Sequence, residues 1–69
     1  MSKLYGMTFE ECILDYVTCL SEAPNGWGQN FSKKTGLISH FWLSEIYEHF
    51  GEEKSQKAMA EYFAKNKEQ

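Results

Sequence analysis

The stretch TFEECILDYVTCLSEAPNG, residues 8–26, decides how the rest of the chain is read. Its first four residues have the form of a capping box. Thr8 stands as N-cap, with a hydroxyl that can accept the backbone N–H of Glu11, and the Glu11 carboxylate can reach back to the N–H of Thr8. Met7 and Cys12 occupy the two positions of a hydrophobic staple. On a helical wheel Phe9, Cys12, Ile13, Tyr16, Val17, Cys19 and Leu20 fall within an arc of about 160°, while Glu11, Asp15, Thr18 and Glu22 line the other side. Pro24-Asn25-Gly26 supplies turn chemistry at the far end. The stretch therefore reads as an amphipathic helix near 8–22.

Working outward, residues 1–6 read as a short N-terminal arm. Downstream, GLISHFWLSEIYEHFG (36–51) contains a second helix near 39–50. Leu43, Ile46, Tyr47 and Phe50 cover about 100° of its wheel, with Trp42 extending that stripe, and Gly51 ends it. Glu52 and Glu53 suit the positive pole of a third helix near 52–66, and Lys65 and Lys67 suit its negative pole. Its apolar side is Ala58, Met59, Tyr62 and Phe63. The connection 24–38 holds Trp27, Phe31 and Leu37, and a structureless loop of that length would be unusual in a small domain. QNFSKKTG (29–36) suggests a short helix near 29–35, with Lys33 and Lys34 in its last turn and Gly36 as a left-handed C′ residue. The expectation is an all-α single domain over residues 1–69: three main helices plus this short one. Its expected core is Phe9, Ile13, Tyr16, Val17, Leu20, Leu43, Ile46, Phe50, Met59 and Phe63, with Trp42 largely buried at the edge of the second stripe.

A chain of 69 residues buries only about 60% of its unfolded surface, so its stability margin is thin. Aromatic residues at 16% partly offset this, because each large ring buries about 150–250 Å². The net charge of −3 disfavours nucleic acid and anionic membrane as partners. All seven basic residues are lysine, and arginine is the preferred reader of phosphate and guanine. No stretch has the apolar core of a signal peptide or the length of a membrane span. Two cysteines are fewer than a small secreted scaffold carries. The expected setting is cytoplasmic, with reduced thiols and no membrane partner.

Motifs for chemistry are sparse. Cys12 and Cys19 share a helical face but lie about 10 Å apart along its axis, too far for one zinc ion or for a disulfide. His40 and His49 fall on opposite sides of their helix, so no metal site is expected. Glu10–Glu11 and Glu52–Glu53 are carboxylate pairs that serve helix dipoles. Ser39–His40 and His40–Ser44 are Ser/His neighbours without an evident cleft. The glycines of NGWG lack the lysine of a phosphate loop. No catalytic residue and no cofactor is expected. Ser32-Lys33-Lys34-Thr35-Gly36-Leu37 matches the turn of a helix-turn-helix, provided the turn is one residue longer than usual to place Leu43 and Ile46 in the core. The second helix of that motif would present His40, Ser44, Glu45 and Glu48, and its carboxylates would be repelled by phosphate.

What remains is a surplus of aromatic residues. Trp27, Phe31, Phe41 and Trp42 exceed one stripe per helix. Phe41 lies some 140° or more from Ile46 and Phe50 on the wheel, on the side of Ser44, Glu45 and Glu48. Either Trp27 and Phe31 fold back as a lid over it, or the rings form an exposed patch with acidic neighbours, as protein interfaces do. The expected function is a non-catalytic helical module that binds a protein partner through Phe41, Trp27, Phe31, His40, Ser44, Glu45 and Glu48. A homodimer is compatible with the same patch. The alternative is a helix-turn-helix DNA-binding transcriptional regulator. In size, acidity and lack of evident chemistry the chain resembles the small accessory proteins, inhibitors among them, that phages and mobile elements direct at host machinery.

Overall fold

Three helices in chain order, α1 (Phe9–Ser21), α2 (Ser39–Phe50) and α3 (Glu52–Lys67), pack each against both others in a computed structural model that describes residues 3–22 and 30–67. The fold is all-α; among the described residues no strand is formed beyond two isolated β-bridges. Trp27 lies outside the described residues, as does Gln29 at the start of the expected short helix.

The start of α1 is built as its residues dictate. The Glu11 N–H donates to Thr8 Oγ1 at 3.3 Å, and the Thr8 N–H donates to Glu11 Oε1 at 2.9 Å. The bond from the Thr8 backbone holds the Glu11 carboxyl below its usual range. Met7 and Cys12, the staple pair, are both buried. α2 ends at Gly51, whose φ of +106° is a conformation open only to glycine, and α3 begins at the next residue. There the buried Ser55 donates its hydroxyl to the Gly51 carbonyl at 2.7 Å.

The core takes Ile13, Tyr16, Val17, Ile46 and Met59 from the expected set and adds Met7, Cys12, Cys19 and Trp42. Phe9, Leu20, Leu43, Phe50 and Phe63 are partly buried and pack against it. Trp42 has no exposed surface at all. Large side chains near helix ends thus form the rim, while the centre is filled where all three helices meet. Along the rim Phe9 meets Phe50 edge to face at 4.9 Å, and the Lys54 ammonium sits 4.6 Å from the centre of the Phe9 ring.

The N-terminal arm is folded back on the bundle. Leu4 and Met7 exchange backbone hydrogen bonds at 3.0 Å in both directions. The turn between them, Tyr5-Gly6, has positive φ at both residues, as a type I′ hairpin turn requires. Tyr5 accepts a left-handed backbone that disfavours side chains, and its ring packs edge to face on Trp42 at 5.6 Å.

The short helix expected at 29–35 is not formed over the described residues 30–35, so the helix-turn-helix-like corner lacks its leading helix. Phe31 and Ile38 instead form an antiparallel bridge, with Ser32 N–H on the Leu37 carbonyl at 2.8 Å and Ser39 N–H on the Asn30 carbonyl at 2.6 Å. The reason lies in Ser32. Its hydroxyl oxygen accepts the N–H groups of Lys34 and Thr35 at 3.2 and 3.1 Å, as an N-cap would. One helical turn follows, closed by Gly36 N–H on the Ser32 carbonyl at 2.9 Å. Gly36 at φ +78° then reverses the chain. The helix signals are present, but they specify a single turn.

By its wheel position Asp15 belongs to the polar side of α1, with Glu11, Thr18 and Glu22. In the fold it ties the elements together. Its Oδ2 accepts the Ser32 hydroxyl at 2.6 Å and the Trp42 indole N–H at 3.0 Å. Asp15→Ala leaves a fully buried indole donor unpaired and releases the turn, and is expected to cost about 3 kcal/mol in chemical denaturation. Asp15→Asn, which keeps an acceptor oxygen, is expected to cost less. A loss below about 0.5 kcal/mol for Asp15→Ala would show that packing alone holds the turn and α2 in place.

Candidate functional site

Among the described residues four large apolar side chains are more than half exposed: Tyr5 at 54%, Leu14 at 51%, Phe31 at 62% and Phe41 at 60%. Their positions are related. Leu14 precedes Asp15, Phe31 precedes Ser32 and Phe41 precedes Trp42, and Asp15 accepts a hydrogen bond from each of the other two successors. Tyr5 lies against Trp42 itself. Consecutive Cα atoms are 3.8 Å apart, so the exposed residues are anchored around one point of the fold.

α2 carries Phe41 outward because its inner side is committed. Ser39, Trp42 and Ile46 are buried, whereas His40, Phe41, Ser44, Glu45 and Glu48 are exposed. The His40 ring packs edge to face on Phe41 at 5.4 Å. The Ser44 hydroxyl donates to the His40 carbonyl at 3.3 Å. Glu45 and Glu48 border a shallow depression with His49 and with Leu4 of the arm. Five of the seven residues expected to bind a partner thus share the outer side of one helix.

Phe31 stands in the connection, opposite Ile38. The two hydrogen bonds that flank Phe31 and Ile38 make them a non-hydrogen-bonded pair, the kind whose side chains stand closest. Ile38 in turn lies three residues before Phe41. On its other side Phe31 borders a small depression shared with Asp15, Thr18, Cys19, Glu22 and Lys33. Lys33 forms an ion pair with Glu22 at 3.2 Å. With 62% of its surface open, Phe31 is an exposed ring and does not make the lid that one reading of the sequence gave it.

Several of the groups considered for catalysis have other partners. Ser39 is buried while His40 is exposed, so these chain neighbours face apart. The hydroxyl of Ser44 bonds the backbone of His40 instead of its ring. Glu11 closes the capping box, and Glu52 accepts from Gln56 at 3.2 Å. Among the described residues no three His, Cys, Asp or Glu side chains are close enough to hold a metal ion, and no helix is long and apolar enough to cross a membrane.

Sequence reasoning missed two contributors. Asp15 could have been found from the indole of Trp42, since a buried tryptophan needs an acceptor and Asp15 sits at the border of the apolar arc. Tyr5 left no signal beyond the glycine after it.

The chain matches no protein-family model, no curated protein and no solved structure.

Both cysteines are free and buried. The Cys12 thiol lies 3.7 Å from the Leu4 carbonyl, and the Cys19 thiol donates to the Asn30 carbonyl at 3.3 Å. Burial first, then the charges of Asp15 and Glu11, push Cys12 from an ordinary 9.0 to about 11. Burial, then Asp15 and Glu22, also push Cys19 upward. Both thiols are therefore expected to label slowly with a thiol reagent at neutral pH until the protein is denatured. A raised thiol pKa means that the unfolded chain loses its proton first as pH rises. Stability is then expected to fall between pH 9.0 and about 11. Fast labelling of native protein, or stability that is level through that window, would contradict the buried, protonated state.

Proposed function

We propose that the chain is a non-catalytic binding module that docks another protein through the face built around Phe41, with Phe31 beside it. One observation carries this reading: the exposed rings are grouped about the Asp15–Ser32–Trp42 cluster. Single exposed apolar residues are ordinary on any protein, but a group of them around a rigid support is how interfaces place their anchors. Phe41 cannot turn inward, because Trp42 and Ile46 fill the inner side of α2. His40 supports its ring, and Ser44, Glu45 and Glu48 give it a polar border. An accessory or inhibitory role is the form such docking would take. The DNA-binding alternative is weaker. It loses its leading helix to the turn at residues 32–36, and α2 offers phosphate two carboxylates and no lysine.

Phe41→Ala and Phe31→Ala test the reading. Each is expected to leave the stability of the isolated protein within about 1 kcal/mol of the wild type. Each is also expected to weaken binding to a protein captured from the native host by more than about 1 kcal/mol. Salt-dependent binding to duplex DNA that fails when Lys33 and Lys34 are neutralised would favour the regulator instead. A large loss of stability with association untouched would show Phe41 to be part of the core.

A further inference from the structure

The carboxylates beside Phe41 bear on what kind of protein the face takes. Glu45 and Glu48 stand one and two helical turns beyond Phe41 and are both exposed. α2 contains no lysine. Of the lysines elsewhere, Lys33 is paired with Glu22, and Lys3 and Lys34 lie near enough to Glu11 to stabilise its charge. Lys54 sits over the ring of Phe9. His49 borders the same depression, and its ring is packed edge to face on Phe50 at 4.7 Å. Among the described residues neither Glu45 nor Glu48 has an ion-pair partner.

We infer that the face around Phe41 takes a basic partner, a protein surface with an apolar centre and lysine or arginine at its rim. The inference rests on the docking reading above and adds the chemistry of the partner. A ring at the centre with carboxylates at the border is the mirror of such a surface. Rim charges stay partly hydrated, so pairing them costs little desolvation while steering the encounter. A second copy of the chain fits less well. Two copies related by a twofold axis present the same patch to each other, which brings four carboxylates together around two phenylalanines with no lysine between them.

Two synthetic amphipathic helical peptides of equal length, one built from leucine and lysine and one from leucine and glutamate, separate the outcomes. Both are titrated into isotope-labelled protein and followed by amide chemical shifts. The leucine–lysine peptide is expected to bind at least about tenfold more tightly, about 1.4 kcal/mol, with its largest shifts at Phe41, Ser44, Glu45 and Glu48. Glu45→Gln with Glu48→Gln is expected to weaken that peptide about fivefold without changing the melting temperature, and Phe41→Ala is expected to weaken it as well. Equal binding of both peptides would overturn the inference. So would shifts centred on Glu52 and Glu53, which would mark attraction by charge alone, or a stable dimer at micromolar concentration formed through Phe41. The captured protein then separates the two readings. If Phe41→Ala releases it and the Glu→Gln pair does not, docking stands and the basic partner falls. If neither change releases it, both fall.

Discussion

One carboxylate oxygen, Asp15 Oδ2, accepts both the indole of Trp42 and the hydroxyl of Ser32, and the arrangement of the molecule depends on it. Among the described residues Trp42 is the largest side chain with no exposed surface. Its N–H could not be buried without an acceptor. Asp15 supplies that acceptor from α1 and so fixes how α2 lies against it. The same oxygen orients the Ser32 hydroxyl, whose lone pairs then take the N–H groups of Lys34 and Thr35. A single charged group thus settles the register of α2 and the course of the connection that precedes it. The contact joins residues 15, 32 and 42, and the Cys19–Asn30 bond reinforces it one turn further along α1. Among the described residues every buried side-chain nitrogen or oxygen has a partner, as a domain with a thin margin requires.

The exposed rings follow from this arrangement by simple geometry. A helix that turns Trp42 fully inward must turn Phe41, one residue earlier, about 100° away from it. The bridge that lets Ser32 reach Asp15 sets Phe31 against Ile38 at the surface. The arm covers Trp42 with Tyr5, at the cost of a left-handed backbone at that residue. Burying one large ring in so small a bundle therefore displays several others around it. The face is a consequence of the core as well as a candidate for binding, and both descriptions rest on the same bonds.

Much of this was legible in the residues. The capping box and staple of α1, the stripe of α2, the end at Gly51 and the acidic start of α3 are local features, each set by interactions within a few residues, and each appears where expected. The outward position of Phe41 was likewise a matter of helical period. The connection differs from the expected short helix because Lys33, Lys34 and Gly36 mark only where a helical turn ends, and its start is set by N-cap chemistry at Ser32, four residues before the left-handed Gly36. That spacing admits only one turn, and the bridge from Phe31 to Ile38 needs a partner strand that no local signal announces.

The sequence by itself determined the helices, their caps and the residues that each helix turns inward or outward, because those follow from backbone geometry and hydrophobic period. The tertiary structure decided the role of Asp15, the course of residues 30–38 and the packing of the arm over Trp42. Those depend on contacts between residues 15, 32 and 42, and on the need to satisfy a buried N–H, a requirement that exists only once the helices have come together.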